Sequence, residues 1–206
     1  ALIENDDTED LYKRKLEEAG LSVKNVPVID FEYFNLNELQ QCLQNAENFA
    51  GLVFTSPRGV HAVKLCVKTV QNLSSKWQKL PTFVVGEGTA QVLQSQLGLE
   101  GQGREAGSAT NLVEFISRSS YARPLLFPCG SLKRDTLPRQ LMEKGIAVHM
   151  VTVYKTRPHP QLESNLRCII NFEEAFPEYI VYFSPSGLKF SLPALEKLEV
   201  PLHHLK

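Results

Sequence analysis

The sequence has little of what marks metal-binding, membrane or nucleic-acid-binding proteins. Its four cysteines form no Cys-x-x-Cys pair and its five histidines are scattered, so no metal-ligand spacing is present. No apolar run approaches the roughly 20 residues that a transmembrane helix needs. The formal net charge of −1 provides no global field to attract a nucleic acid or an anionic membrane. We therefore expect no metal, no nucleic acid and no membrane among its partners.

Cofactor and targeting motifs are scarce as well. The segment GEGTAQ at residues 86–91 begins like a dinucleotide-binding fingerprint, but Gln91 stands where Gly or Ala is needed. No P-loop lysine follows it, and no Gly-x-Ser-x-Gly elbow occurs, which disfavours a nucleotide cofactor and a serine hydrolase. The N-terminal residues show no secretory signal, and the cysteine usage favours a reduced protein of the cytosol.

What the sequence does contain is an alternation of apolar runs and helical segments. The runs GLVF, TFVVG and PLLFPCG are continuous, which is typical of strands buried on both faces. The alternation predicts an α/β fold with parallel sheets and helices on both faces. Strands are expected at 1–3, 50–54, 82–86, 124–130, 146–156 and 179–183. Helices are expected near 6–20, 35–46, 57–70, 89–98, 108–118, 135–145, 161–172 and 186–197.

Two proline-containing segments interrupt this alternation. Pro27 lies in an otherwise strand-like stretch and cannot donate to a ladder, so it indicates an edge or a crossing. The segment RPHPQ at 157–161 reads as a stiff connector. Both segments are candidates for passages between domains.

Four predicted strands end in small polar corners, each just before a helix. They lie at 55–57, 86–89, 128–131 and 184–187, and the first and last share a Ser-Pro pair. Such a corner offers unpaired backbone N–H groups and the positive end of a helix dipole, and both favour anions. Since ligands of parallel sheets collect at the carboxyl ends of the strands, these corners are candidate carboxylate or phosphate sites. Ordinary helix capping is the alternative.

In this order along the chain, the segments GLVFTSPRGV, VVGEGTA, LLFPCGSLKRDTLP, VTVYKT and YFSPSGL resemble the uroporphyrinogen-III synthase family of the animal type. The resemblance implies two α/β lobes with parallel sheets flanked by helices, joined by a two-stranded antiparallel ladder, with a cleft between them. One lobe would comprise 1–27 with 158–206 and the other 33–152, with crossings near 28–32 and 153–157.

The resemblance also implies an activity. The family is a lyase of haem biosynthesis that cyclises hydroxymethylbilane to uroporphyrinogen III, with inversion of ring D and loss of water. It implies no cofactor and no metal, and we expect a cytosolic monomer. A linear tetrapyrrole with eight carboxylates is the kind of ligand that anion-binding corners suit.

Site residues follow from the matching positions. Tyr154 would be the catalytic proton donor, although a half-buried ladder tyrosine is the alternative. Arg58 would bind a carboxylate or would be a solvated helix residue. The full set of expected substrate contacts is Thr55, Ser56, Arg58, Gly88, Thr89, Ser184, Ser186 and Lys206.

The chain departs from the family pattern at its end. The family continues beyond the position of Lys206 with a strand, a Gly-Pro-Thr-Thr corner and a final helix, so we expect a C-terminally truncated member. A second hypothesis is therefore a non-catalytic module that binds acidic tetrapyrroles without converting them.

Overall fold

A computed structural model describes residues 11–67, 73–132, 136–170 and 177–200. Its helices are α1 Leu11–Glu18, α2 Leu36–Gln44, α3 Pro57–Val67, α4 Leu73–Trp77, α5 Glu87–Leu97, α6 Ala109–Ile116, α7 Thr136–Glu143, α8 Leu162–Ile169 and α9 Pro185–Lys197. Its strands are β1 Ile29–Tyr33, β2 Gly51–Phe54, β3 Thr82–Val84, β4 Gly101–Gln102, β5 Leu125–Gly130 and β6 Val148–Pro158. The predicted strand at 1–3 and Lys206 lie outside the described residues.

The strands form one six-stranded sheet in the order β1-β6-β5-β2-β3-β4. The pairs β6–β5, β5–β2, β2–β3 and β3–β4 are parallel. The strand β1 pairs with β6 in the antiparallel sense. Hydrogen bonds from Phe34 N to Val153 O and from His159 N to Val28 O flank this pair. The mixed, mainly parallel α/β sheet confirms the predicted fold class.

The central strands are buried on both faces, as their continuous apolar runs predict. Alternate residues of a strand point to opposite faces. Leu52 and Phe54 pack in one cluster with helices α2, α3 and α5, whereas Val53 and Phe127 pack in a second cluster with α6 and α7. Helices therefore cover both faces of the sheet, and the loops at its carboxyl edge are held by a rigid scaffold.

The chain divides into two compact units. Unit 1 comprises residues 1–31 and 156–206, and unit 2 comprises residues 32–155. Within the described part of unit 1, a separate core contains Val28, Leu162, Leu166, Ile170, Leu195 and Val200. The sheet residues at the candidate site belong to unit 2.

One predicted strand is wrong. Residues 179–183 form no strand, although their side chains alternate as a strand would. Ile180 and Tyr182 pack on the unit 1 core, while Tyr179, Val181 and Phe183 are 43–55% exposed. A strand needs a hydrogen-bonded neighbour. No strand of the described ranges pairs with this segment, so the parallel sheet expected for this lobe is not found there.

No helix in the described ranges is both long enough and apolar enough to cross a membrane.

Candidate active site

Parallel pairing places the ends of several strands at one edge of the sheet. Phe54 at the end of β2 pairs with Val84 at the end of β3, and β5 lies parallel to β2 on its other side. On β6, Tyr154 pairs with Gly130, the last residue of β5. The predicted site residues that share this edge of unit 2 are Thr55, Ser56, Arg58, Gly88, Thr89 and Tyr154. Ser184 and Ser186 belong to unit 1.

The first corner follows β2 and begins α3. The Ser56 hydroxyl accepts a hydrogen bond from the Arg58 amide at 3.2 Å, and the Ser56 carbonyl accepts one from the Gly59 amide at 3.1 Å. Pro57 occupies the first helical position, where its missing N–H costs nothing. Ser56 therefore caps its own helix, and its hydroxyl hydrogen is the part that can be donated to a ligand.

Arg58 provides the positive charge of this corner. Burial, and then the nearby positive charge of Arg58, lower the pKa of His61 below its ordinary value. An imidazole with a lowered pKa is neutral at pH 7. Arg58 is half-buried.

The second corner follows β3 and begins α5. Gly86 has φ +81° and precedes the helix without any side-chain cap, so the amides of the first turn have no partner within the helix. A Cβ added at Gly88 would meet nothing within 4 Å, which leaves its backbone open to a ligand. Thr89 is only 4% exposed, so its side chain presents little surface. This corner can bind an anion chiefly through its main chain.

An ion-pair cluster borders the second corner. The Arg104 guanidinium lies 4.0 Å from the Glu87 carboxylate, 3.7 Å from that of Glu100 and 3.9 Å from that of Glu105. Glu87 is the first residue of α5, where its own charge would compete with a bound carboxylate. Arg104 offsets only one of the three carboxylate charges, so the cluster stays negative beside this corner.

Tyr154 lies where the register of β5 and β6 shifts. Cys129 pairs with Thr152, but the next residue of β5, Gly130, pairs with Tyr154, so Val153 is an extra residue in β6. Bulges of this kind re-aim side chains and are frequent beside active sites. The Ser131 amide donates to the Tyr154 carbonyl at 2.9 Å, which fastens the backbone just past the irregularity.

The Tyr154 ring lies against the backbone of Gly130. A Cβ at Gly130 would stand 2.6 Å from Cε2 and Cζ of Tyr154 and 2.9 Å from its Oη. The ring centroid of Tyr33, on β1, is 6.4 Å away with a 54° tilt. Sequence reasoning missed both neighbours. A glycine at the end of a buried strand was the signal, because such a glycine often marks a close approach.

The corner of unit 1 has the same capping chemistry as the first. The Ser184 hydroxyl accepts from the Gly187 amide at 3.1 Å, and Pro185 is the first residue of α9. Ser186 is half-buried. The repeated Ser-Pro pair is therefore, at least, a repeated helix cap.

Burial raises the thiol pKa of two of the four cysteines. All four are free thiols, and burial raises the pKa of Cys66 to about 11. Cys42 Sγ lies 3.6 Å from His149 Nε2, and burial, then the charge of Glu38, raise the pKa of Cys42. In the part of the chain that the structure describes, no group of three His, Cys, Asp or Glu residues could hold a metal ion.

Comparison with known proteins gives consistent matches. The family model described as uroporphyrinogen-III synthase HemD matches residues 10–206. The uroporphyrinogen-III synthase of Saccharomyces cerevisiae is 27% identical over 185 residues, covering 80% of this chain and 66% of its own length. That of Chlorobaculum parvum is 27% identical over 194 residues, covering 92% of this chain and 76% of its own length. The match thus spans about two thirds to three quarters of these relatives.

Solved structures show the same fold. Helicobacter pylori uroporphyrinogen-III synthetase superposes with a TM-score of 0.59 at 18% identity, covering 85% of this chain and 75% of its own. A mutant uroporphyrinogen III synthase from Thermus thermophilus gives a TM-score of 0.57 at 17% identity, covering 90% and 72%.

Proposed function

The chain belongs to the uroporphyrinogen-III synthase family, and from that premise we propose that it cyclises hydroxymethylbilane to uroporphyrinogen III with loss of water. The observation that carries this proposal is the family match over residues 10–206. The gathering of polar corners at one sheet edge supports it, because such an edge is where an α/β sheet binds its ligand. The protein is accordingly a lyase of haem biosynthesis.

In this proposal the substrate carboxylates bind the corners. The uncapped first turn of α5 donates main-chain amides at Gly88 and Thr89, and Arg58 supplies a charge-assisted hydrogen bond. Thr55 and Ser56 contribute hydroxyl donors at the start of α3. In unit 1, Ser184 and Ser186 offer another carboxylate site at the start of α9. Lys206, also proposed as a contact, lies outside the described residues.

Tyr154 is the proposed proton donor. Its hydroxyl gives a proton to the departing hydroxyl of the bilane as the carbon–oxygen bond breaks, so that water leaves, an electron-poor azafulvenium cation remains and the tyrosine is left as the phenolate. The last ring attacks this carbon through its substituted position, and the resulting spiro intermediate rearranges. The proton that ring closure releases returns to the tyrosine oxygen. Holding the bilane in this folded geometry is the larger task, since orientation removes an entropic barrier.

The proposal includes the boundaries of the two lobes. One lobe comprises residues 1–27 together with 158–206, the other comprises residues 33–152, and the crossings between them lie near 28–32 and 153–157. We also take the protein to act as a cytosolic monomer without a cofactor. The free state of all four cysteines agrees with a reducing compartment.

Product analysis tests the activity. Bilane generated enzymatically is incubated with the protein, and the cyclised products are oxidised and separated as type I and type III isomers. We expect type III to predominate, because uncatalysed closure gives type I. Bilane that binds but yields only type I would overturn the lyase proposal in favour of a binding module.

A single substitution tests the role of Tyr154. Tyr154→Phe removes the proposed donor, and we expect kcat to fall by about 10²-fold or more, since a positioned general acid contributes about that much. Tyr121→Phe is the matched control. Its hydroxyl donates to the Ile116 carbonyl at 3.1 Å, at the end of α6, and Tyr121 precedes β5, whereas Tyr154 lies beside the last residue of that strand. Equal rates for both variants would remove the proton-donor role and leave the family assignment standing.

A further inference from the structure

We propose that Gly130 and Tyr33 are positioning residues that hold the Tyr154 ring in its working orientation; the inference rests on the role proposed above for Tyr154. Gly130 limits the ring from the β5 side, and Tyr33 lies beside it on the β1 side.

The glycine at 130 is required by space and not by backbone conformation. Gly130 is not among the glycines with positive φ, so its backbone suits any residue. A Cβ there would meet Cε2 and Cζ of Tyr154 at 2.6 Å, closer than Cβ atoms come in real structures. The ring of Tyr154 and any side chain at position 130 therefore exclude each other.

The register shift directs the ring onto this surface. Val153 is the extra residue of β6, so Tyr154 and not Val153 faces Gly130 across the ladder. The hydrogen bond from Ser131 N to Tyr154 O, at 2.9 Å, holds the shifted register. The backbone thereby sets the direction in which the side chain leaves the strand.

The end of β1 forms the other side of the surface that holds the Tyr154 ring, and this surface, made by Gly130 and Tyr33, is called the seat below. The Phe34 amide donates to the Val153 carbonyl at 3.0 Å, and Asn35 Nδ2 donates to the Thr152 carbonyl at 3.1 Å. These bonds fasten the end of β1 beside Tyr154. The ring of Tyr33 then lies 6.4 Å from that of Tyr154, within the range of favourable tilted aromatic pairs.

Confinement of the ring has a kinetic consequence. A donor that is held in one rotamer by packing needs no reorganisation at the moment of proton transfer, and a misplacement of 1 Å costs about 10²-fold. Loss of the seat should therefore lower kcat and leave KM nearly unchanged, because the carboxylate contacts lie on other corners.

Gly130→Ala is the principal test. We expect kcat to fall by about 10- to 10²-fold with KM within about twofold of wild type. In the Tyr154→Phe background the same change should have no further effect on kcat, because the seat acts only through that hydroxyl. The Tyr154 ring resonances, identified by their loss in Tyr154→Phe, should shift in Gly130→Ala.

Gly101→Ala is the matched control. Its new methyl would meet Val84 Cγ2 at 2.8 Å, a comparable clash at a buried position of the edge strand β4, away from Tyr154. It should lower stability without changing kcat or the Tyr154 ring signals. If the two alanine variants lose kcat in parallel, or if Gly130→Ala leaves the ring signals in place, the proposal is wrong.

Tyr33 provides an independent arm should Gly130→Ala fail to fold. Tyr33→Phe keeps the ring and should retain kcat, whereas Tyr33→Leu removes it and should lower kcat and move the Tyr154 signals. Equal kcat values for Tyr33→Phe and Tyr33→Leu would exclude a positioning role for Tyr33. A wild-type protein that forms no type III product would defeat the proposed function, while the ring signals would still test the seat.

Discussion

At the scale of single residues, the hydroxyls of Ser56 and Ser184 are tied to their own helices. Ser184→Ala removes the acceptor of the Gly187 amide and should lower the free energy of unfolding by about 1 kcal/mol, as loss of an N-cap does. Ser184→Asp restores a capping oxygen and should restore stability, which denaturant titration will measure.

The same pair of variants separates capping from substrate binding. If Ser184 also binds a carboxylate, Ser184→Asp should raise KM while it restores stability, because two carboxylates repel each other. Ser108→Ala is the control, since Ser108 caps α6 by the same geometry, accepting from Asn111 N at 3.2 Å, and is no proposed contact. An unchanged KM in every variant would leave Ser184 with the capping role alone.

At the scale of elements, the ladder of β1 and β6 carries a pH-dependent ion pair in unit 1. Asp30 Oδ2 accepts from Nε and from Nη2 of Arg157, both at 2.7 Å. Burial alone would raise the pKa of Asp30, but the hydrogen bonds from Arg157 and from the Phe31 amide, with the charges of Arg157 and His159, lower it below its ordinary value. The folded state therefore favours the ionised carboxylate.

A lowered carboxyl pKa fixes the direction of the pH dependence. The stabilisation is complete above the ordinary pKa of Asp, about 3.9, and is lost as the pH falls through the lower folded value. Asp30→Asn should thus lower the free energy of unfolding by up to about 1 kcal/mol at pH 7, the usual limit for partly exposed pairs, and by less near pH 2. Unfolding titrations at both pH values measure this. If Asp30→Asn lowers the free energy of unfolding equally at both pH values, the ion pair does not explain the loss.

The strands show how far local pattern predicts structure. The predicted strand at 124–130 was nearly correct, because burial on both faces makes β5 apolar throughout. The predicted strand at 82–86 ends early, at Val84, since the backbone of Gly86 already begins the turn into α5. Alternation at 179–183 predicted a strand that is absent, because alternation reports which side chains are buried and not whether a ladder partner exists.

The site was predictable only in part for a similar reason. Corners after parallel strands are visible in sequence, because strand ends of a parallel sheet meet at one edge. Gly130 at the end of a buried strand signals a close approach, but the sequence does not show that Tyr154 is the side chain that approaches, because this depends on a one-residue register shift between β5 and β6. The near-complete burial of Thr89 also depends on packing and not on motif.

At the scale of the whole molecule, the two units have separate cores, and the single tryptophan lies in only one of them. Leu195 is 1% exposed in the core of unit 1, and Leu126 is 0% exposed in unit 2. Trp77, the one tryptophan of the sequence, is fully buried in unit 2, where its Nε1 donates to the Leu43 carbonyl at 3.1 Å. Its fluorescence therefore reports on unit 2, whereas circular dichroism reports on the helices of both units.

Leucine truncations should then separate the two signals. Leu195→Ala and Leu126→Ala should each lower the free energy of unfolding of the unit that contains the residue by about 2–5 kcal/mol, as truncation of a buried leucine does. We expect Leu195→Ala to shift the unfolding midpoint seen by circular dichroism and to leave the Trp77 fluorescence midpoint unchanged, because its cavity opens in a core that Trp77 does not join. Leu126→Ala, in the same cluster as Trp77, should shift the fluorescence midpoint. Coincident shifts of both signals in both variants would mean that the units unfold as one cooperative body, since a cavity in either core would then destabilise the other.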